Sequence, residues 1–197
     1  MGRTKKYDRD ELVVKAMEMF RDHGFAGTSA EMLAEGLGVN RYSIYAEFGS
    51  KQGLFEAALE RYDAEVIERS FGPLEMPNAG LDEIRTLLEF FGNAKGSPAL
   101  GRGCLLCNTA VEFGPEDPGG AGFVHRYFKR LSAAFRAALD NARANGRLRA
   151  SADPGKEAGF FTAAVLGMFV MLRAKAPLTV IESAAEVAIE HLEALVV

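Results

Sequence analysis

The 197-residue sequence predicts an all-α fold, in which three short helices come first and about six longer helices follow. Along most of the chain, apolar residues recur at spacings of three and four, which is the pattern of amphipathic helices. Proline and glycine separate these segments, and no alternating strand pattern continues for more than a few residues. Because 48% of the residues are hydrophobic and 25% are charged, we expect a soluble globular protein with a buried core.

The first helix is predicted over residues 8–24. Asp8 and Glu11 resemble an acidic capping box at its start, and Gly24 is a suitable stop. Its apolar face consists of Leu12, Ala16, Met19 and Phe20.

The next two helices are short, and a glycine-containing turn separates them. Thr28 and Glu31 have the spacing of a capping box and predict a helix over residues 28–36. Asn40 is a suitable cap for the third helix, and Ser50 for a fourth. The fourth helix is predicted to end before the Pro- and Gly-containing residues 72–80, the clearest break in the chain. Later helices are predicted at about 81–95, 102–113, 120–145, 154–175 and 178–196.

Two short helices joined by such a turn form a helix-turn-helix pattern, whose second helix enters the major groove of DNA. In the third helix, Ile44 and Phe48 are spaced to face inward. Its outward positions hold donors that suit phosphate oxygens and base edges, namely Arg41, Tyr42, Ser43 and Tyr45. A plain surface helix with aromatic rims explains the same residue types, so the pattern alone leaves both interpretations open.

The overall charge argues mildly against a nucleic-acid partner, because the net charge is −4 and the isoelectric point is near 5.5. Basic residues are concentrated only in the arm at residues 1–9, which holds Arg3, Lys5, Lys6 and Arg9 against a single Asp8. Residues 1–55 hold eight basic and eight acidic residues, so the net charge belongs to the rest of the chain.

A cytoplasmic location is predicted, because the N-terminus is basic and lacks the apolar segment of a secretory signal. The longest apolar run, residues 159–172, has 14 residues and is too short to span a bilayer, so no membrane partner is expected. Two cysteines form no disulfide framework. The three histidines have no ligand-like spacing, so neither a metal nor a cofactor is predicted.

Residues 20–59 closely resemble the DNA-binding domain of TetR-family transcriptional repressors. The matching elements include Gly24–Phe25, Thr28–Ser29, Gly38–Val39 and the third helix, and they continue through Ser50, Lys51 and Leu54. Gly36 and Leu33 depart from the family pattern, where Ala and Ile are usual. Over the rest of the chain, only the length and the helical layout agree.

The resemblance implies a homodimer that binds a pseudo-palindromic operator in double-stranded DNA and releases it when a small molecule enters the C-terminal domain. Residues 1–50 would form the helix-turn-helix domain, and residues 51–197 the helical regulatory and dimerisation domain. Carried over by position, Arg41 and Ser43 would read bases, while Lys5 and Lys6 would reach the backbone or the minor groove. The phosphate-binding and neighbouring positions would be Thr28, Ser29, Tyr42, Tyr45 and Lys51.

The C-terminal part carries many Phe and Met residues on predicted helices, and core packing explains most of them. A cavity walled by aromatic side chains is the functional interpretation, and it favours a small hydrophobic or electrophilic ligand. The candidate ligand-binding residues are Phe90, Phe91, Cys104, Cys107, Asn108, Phe123, Tyr127, Phe161 and Met168.

Cys104 and Cys107 lie three residues apart near the start of a predicted helix, with Arg102 just before them. A helix N-terminus and a nearby cation both lower a thiol pKa, so a redox or electrophile switch is one hypothesis. Packing of two small apolar side chains is the other.

The last two predicted helices have the composition of a dimer interface. The first of them is apolar around its whole circumference, which predicts burial on every side and hence a partner subunit. A ligand-responsive repressor is the leading hypothesis for function. The alternatives are a thiol-based redox or electrophile enzyme using Cys104 or Cys107, and a structural helical adaptor, which would not explain the basic arm.

Overall fold

Helices make up about three-quarters of the computed structural model, which describes residues 7–114 and 120–197. The first three helices form the head, and they are α1 (Arg9–His23), α2 (Ala30–Leu37) and α3 (Arg41–Phe48). A connector follows, made of α4 (Lys51–Tyr62) and a π-helical turn (Asp63–Ile67). The remaining helices form the body, and they are α5 (Glu68–Glu75), α6 (Leu81–Gly92), α7 (Leu105–Glu112), α8 (Ala121–Ala144), α9 (Pro154–Arg173) and α10 (Leu178–Ala194). The predicted all-α fold is confirmed.

Side-chain caps start each helix of the head and the connector. Asp8 accepts hydrogen bonds from two backbone N–H groups of α1, Asn40 accepts one in α3, and Ser50 accepts one in α4. These three predicted caps are confirmed. In α2 the cap is Ser29, which accepts from the N–H of Met32, so the prediction of Thr28 was wrong by one residue.

The predicted break at residues 72–80 is also misplaced, because the helix continues from α4 through the π-helical turn and α5 to Glu75. Pro73 lies in the last turn of α5. A proline there removes only one of the final backbone hydrogen bonds, and the helix ends two residues later. Arg130 on α8 holds the continuous segment in place through ion pairs to Asp63 at 3.2 Å and to Glu68 and Glu75 at 2.5 Å.

The helices of the body pack around α8, which contacts α5, α6, α7 and α9, while α10 packs against α6 and α9. The connector packs on α1 and α3 on one side and on α7 on the other. As a result, one cluster of buried apolar residues runs from Leu12 in the head to Leu195 after α10.

Helix α9 begins at the predicted residue 154 and extends beyond the apolar run of residues 159–172, because residues 154–158 supply its first turn. By length and composition alone it is able to cross a membrane. A core helix of a soluble protein meets the same criteria, and α9 packs against α7, α8 and α10.

Candidate nucleic-acid interface and regulatory cavity

The turn between α2 and α3 fixes the angle between these two helices. Gly38 has a φ of 68°, a left-handed conformation that favours glycine, and its N–H donates to the carbonyl of Glu35 at 3.1 Å. Leu33, Leu37 and Ile44 bury their side chains on the inner side of the pair. The outer face of α3 is therefore held away from the protein.

That outer face carries the predicted DNA-contacting residues of α3. Tyr42 is 82% exposed, Arg41 is exposed, and Ser43 and Tyr45 are half-buried. The Nε of Arg41 donates to the hydroxyl of Tyr45 at 3.2 Å, and its guanidinium lies 5.4 Å from the centre of the Tyr45 ring. These two contacts orient the guanidinium of Arg41. The outer face of α3 therefore presents an oriented hydrogen-bond donor, Arg41, next to the largely exposed side chain of Tyr42.

A carboxylate competes for Arg41. Glu31 in the first turn of α2 lies 3.3 Å from Nη1 of Arg41, and both side chains are largely exposed. The pKa of Glu31 is lowered by its own backbone N–H, by the Ser29 hydroxyl and by Arg41, while the hydrogen bond to Tyr45 raises the pKa of Arg41. An exposed pair of this kind contributes little stability, so Arg41 exchanges Glu31 for another anion at small cost.

The structure places the other predicted DNA contacts differently. Thr28 is fully buried and donates its hydroxyl to the carbonyl of Gly24 at 2.6 Å, so its predicted contact with phosphate is wrong and it stabilises the turn instead. Ser29 is exposed at the start of α2. Lys51 is half-buried, with Nζ 4.2 Å from the centre of the Phe25 ring. Lys5 and Lys6 lie outside the described residues.

Contacts that sequence reasoning missed join the start of α1 to the end of α3. The hydroxyl of Tyr7 donates to Glu47 at 3.4 Å, and Nε of Arg9 lies 3.7 Å from the same carboxylate. The Arg9 guanidinium also lies 5.1 Å from the centre of the Phe48 ring. About forty residues separate these partners in the chain, so no local pattern signals the contacts.

A cavity of about 400 Å³ lies between the last turn of α1, the connector, α5, α6 and α9. Most of its wall is apolar, and the charged side chains that line it are Arg21, Arg69 and Glu83. The apolar part of the wall includes Tyr62, Val66, Ile67, Phe71, Leu74, Leu87, Phe90 and Phe169.

Of the nine predicted ligand-binding residues, only Phe90 lines this cavity. Phe91 is buried behind it, and Phe161 and Met168 are buried in the core. Asn108 borders a second pocket beside Arg173, Phe123 and Tyr127 border a third beside Arg130, and Cys104 and Cys107 are buried. Eight of the nine predicted residues therefore do not line this cavity.

About half of the lining was missed because it comes from α1 and from residues 62–74, ahead of the segment in which ligand residues were sought. One pattern in the sequence could have indicated this part of the wall, namely the helical spacing of the apolar residues Tyr62, Val66, Ile67, Phe71 and Leu74.

The two cysteines form a buried cluster with two tyrosines. Both Sγ atoms lie 3.7 Å from the hydroxyl of Tyr127, and Cys104 is the N-cap residue of α7 rather than part of its first turn. Burial raises the pKa of the Cys104 thiol, but hydrogen bonds from Cys107, Tyr62 and Tyr127 outweigh it and lower that pKa to about 6. The hydrogen bond to Cys104, followed by burial, raises the pKa of Cys107. The cluster therefore favours one thiolate, on Cys104.

Arg102 does not act on this thiolate as predicted. It forms ion pairs with Glu18 at 2.6 Å and Asp22 at 2.5 Å, and so joins the body to α1. Arg173 of α9 adds hydrogen bonds to the carbonyls of Arg21 and Asp22 at the end of α1.

Two more features fasten the head to the body. The carboxylate of Glu112 at the end of α7 accepts hydrogen bonds from the backbone N–H groups of Phe25 at 2.9 Å and Ala26 at 2.5 Å. Four rings form a cluster beneath this turn, with centroid separations of 4.9–6.3 Å, and they belong to Phe20, Phe25, Phe55 and Phe113. These contacts join α7 and the connector to the turn that precedes α2.

The last two helices expose apolar side chains on one side. On α9, Phe160 and Val170 are exposed together with the small residues Ala163 and Gly167 between them. On α10, Val180 is exposed, and Val187 is 60% exposed. This face is the one assigned to dimerisation from the sequence.

Within the described parts of the chain, no group of three or more His, Cys, Asp or Glu side chains is arranged to hold a metal ion.

Comparison with known proteins supports the interpretation of both halves. Residues 12–58 match the model for bacterial regulatory proteins of the tetR family, and residues 80–188 match that for the tetracyclin repressor-like C-terminal domain. The chain is 35% identical over 152 residues to the HTH-type transcriptional regulator YezE of Bacillus subtilis, covering 75% of this chain and 76% of that protein. It is 29% identical over 182 residues to the HTH-type transcriptional repressor ComR of Escherichia coli, covering 90% of this chain and 85% of that protein.

Among solved structures, the chain is similar to a cysteine mutant of the transcriptional regulator CifR in complex with 26-bp double-strand operator DNA. The TM-score is 0.82 at 26% identity, and the match covers 95% of this chain and 98% of that chain.

Proposed function

The chain belongs to the TetR family of bacterial transcriptional regulators, and from this premise we infer that it is a DNA-binding repressor that leaves its operator when the cavity is filled. It is a regulator and not an enzyme, since the family and the relatives consist of regulators. The thiol enzyme considered from the sequence is therefore set aside. Binding to a palindrome as a homodimer, release by a ligand and a cytoplasmic location are parts of this proposal.

The observation that carries the proposal is the exposed face of α3. Arg41 and Tyr42 stand clear of the protein on a helix whose opposite side is anchored by Ile44. A helix of this size fits the major groove, where Arg reads guanine and hydroxyl groups bind phosphates. Arg41 and Ser43 are the proposed base-reading residues, while Ser29, Tyr42, Tyr45 and Lys51 are proposed to contact phosphates.

The homodimer is supported by the apolar side of α9 and α10. Packing these two helices against their copies would form a four-helix bundle around a two-fold axis and cover Phe160 and Val187. A two-fold axis presents two copies of α3 to half-sites one helical turn apart, about 34–36 Å. This geometry is why a palindromic operator is proposed.

Release by a ligand is supported by the position of the cavity. Its wall includes Arg21 of the head, Tyr62 of the connector and Phe90 of the body. A molecule that fills the space pushes the connector relative to α1, changes the distance between the two α3 helices of the dimer and breaks their register with the half-sites.

The test is selection from a pool of random duplex DNA, followed by sequencing, at two salt concentrations. We expect one enriched palindrome whose affinity falls steeply as salt rises, because each phosphate contact releases counterions. A folded dimer that enriches no site would contradict the proposal. The selected duplex then serves to assay release by small molecules.

Thiol modification is a second route to release, and the Cys104 cluster favours it. A thiolate at Cys104 adds to a Michael acceptor, forming an S–C bond while a proton from solvent completes the adduct. The bulk of the adduct would displace α7, whose other end holds the turn before α2 through Glu112.

The thiolate is tested by ultraviolet absorbance near 240 nm during a pH titration. We expect a step with a midpoint near pH 6 that is absent in Cys104→Ser. With N-ethylmaleimide, one equivalent should modify Cys104 and release the operator. Thiols that react only after the protein unfolds would show that both cysteines merely pack.

A further inference from the structure

Arg21 is a buried cation whose hydrogen-bonding capacity is incompletely used. It lies in the last turn of α1, its side chain is only 9% exposed, and it lines the cavity. Its Nε finds no hydrogen-bond partner among the residues that the structure describes. An unmade hydrogen bond on a buried charged group is costly, so the guanidinium of Arg21 has capacity for a further anionic partner.

The protein supplies Arg21 with only part of the counter-charge that a buried guanidinium needs. Nη1 lies 3.2 Å from Glu18, and the guanidinium carbon lies 5.4 Å from the centre of the Tyr62 ring. Glu18 is shared, because its other oxygen pairs with Arg102 at 2.6 Å. One carboxylate therefore serves two guanidinium groups.

The other charged groups around the cavity also favour an anion. Arg69 stands exposed at the wall and forms no ion pair with any residue in the described ranges. Glu83 lines the cavity too, but its carboxylate accepts the N–H of Gly80 at 2.7 Å at the start of α6. Arg21 and Arg69 thus have unused hydrogen-bonding capacity at the cavity, whereas the carboxylate of Glu83 already accepts a hydrogen bond.

The rest of the cavity wall favours a ligand with a large apolar part. Phe71, Leu74, Leu87, Phe90 and Phe169 line the cavity. Its volume of about 400 Å³ lies within the range of small-molecule sites, about 300–1,000 Å³. This volume accommodates a medium-length alkyl or phenylalkyl chain.

We propose that the cavity binds an apolar monocarboxylate, whose carboxylate pairs with the guanidinium of Arg21 while its hydrocarbon part lies against the aromatic wall. The inference rests on the proposed function, since it names the chemical class of the effector. The guanidinium suits this role because its planar array of donors matches a carboxylate.

The same contact couples the ligand directly to the head, because Arg21 belongs to α1. A carboxylate at Arg21 competes with Glu18, which also pairs with Arg102 of the body. Ligand binding therefore changes the ion pairs between α1 and the body as well as filling the cavity.

The test compares acids with their neutral amides by isothermal titration calorimetry. The probes are octanoate against octanamide and 6-phenylhexanoate against 6-phenylhexanamide, which have nearly the same shape. The wild-type protein should bind each acid at least about tenfold more tightly than its amide, because a hydrogen bond to a charged group is the stronger one. Equal affinities, or no binding of either acid, would overturn the proposal.

Variants of Arg21 test whether this residue causes the preference for the acid over the amide. In Arg21→Gln the preference for the acid should disappear while the amide affinity changes little, and in Arg21→Lys part of it should remain. Arg61→Gln is the matched control, because Arg61 also has an Nε without a partner among the described residues but does not line the cavity, and it should keep the preference. An Arg21→Gln protein that still prefers the acids would also refute the assignment. If that variant does not fold, the wild-type comparison of acid and amide still decides the proposal.

Operator binding is measured separately, by fluorescence anisotropy with the selected duplex. Acid binding that depends on Arg21, in a protein without a palindromic operator, would contradict the proposed function alone. Operator binding by a protein that ignores the acids would contradict only the proposed ligand class.

Discussion

The head and the body hold their helices in place by different means. In the head and the connector, α1 to α4 each begin at a side-chain cap, provided by Asp8, Ser29, Asn40 and Ser50. In the body, Asp153 caps α9 and Glu83 accepts the N–H of Gly80 at the start of α6, but α7 and α10 begin without a side-chain cap among the described residues, and buried apolar faces hold them against α8, α6 and α9. Local chemistry thus starts every helix of the head, whereas the body relies more on packing between distant segments.

This difference has a functional consequence. A surface that reads DNA needs one fixed geometry, and caps provide it without a large core. A cavity that responds to a ligand needs helices that shift against each other, which packed faces allow more readily than local hydrogen bonds.

The largest effect is expected where the two regions meet. Phe55→Ala removes a fully buried ring that packs against Phe20, Phe25 and Phe113, and the loss should be about 3–5 kcal/mol of unfolding free energy. Chemical denaturation should show one destabilised transition, because the rings belong to the head, the connector and the body. Tyr42→Ala, at a largely exposed position, is the control and should change stability by less than about 0.5 kcal/mol. If the head unfolded in a separate transition while the stability of the body stayed unchanged, the result would contradict a core shared by the two regions.

Arg41→Ala should separate function from stability within the head. We expect a loss of about 1–3 kcal/mol in operator binding and relaxed specificity at one base pair, since Arg41 is proposed to read a base. Stability should hardly change, because the Arg41–Glu31 pair is exposed. Arg136→Ala on α8 removes a comparable exposed pair with Asp140 at 2.7 Å and should leave operator affinity intact. Anisotropy titrations with the consensus duplex and with single-base variants of it measure both proteins.

Removing one helix cap from each region compares how the head and the body depend on their caps. Asn40→Ala should cost about 1 kcal/mol of stability and also weaken operator binding, because it loosens the start of α3. Asp153→Ala removes the cap of α9 in the body and should cost a similar amount without affecting the operator. Equal losses of DNA affinity in the two variants would show that the head has no special dependence on its cap.

The smallest effect is expected at Glu31. Glu31→Gln removes the carboxylate that competes with DNA for Arg41, so operator affinity should rise a few-fold, which is below about 1 kcal/mol. The gain should shrink as salt is added, because exposed charges are screened. Glu193→Gln, which removes the partner of Arg85 at 3.0 Å in the body, should give no gain.

The sequence predicted the head better than the body, and the reason is the same difference between local caps and distant packing. Asp8, Asn40 and Ser50 were identifiable as caps because a cap acts within three residues of itself. Thr28 and Ser29 are adjacent hydroxyl residues that suit the same role, so the pattern could not separate the cap from the buried residue.

The cavity was not predictable in this way. Its wall depends on the helix continuing through the π-helical turn to Glu75, and ion pairs from the distant Arg130 hold that segment. Arg21 looks like an ordinary surface residue at the end of an amphipathic helix, but it is buried, with its guanidinium against Tyr62 of the connector.

The contact of Glu112 with the turn before α2 has a consequence for hydrogen exchange. The amide hydrogens of Phe25 and Ala26 are held by a side chain of the body rather than by a carbonyl of their own helix. Their exchange with deuterated solvent therefore requires the head to separate from α7, with no need for any helix to unravel. The protection of these two amides is a direct gauge of how tightly the head is docked on the body, with or without an effector.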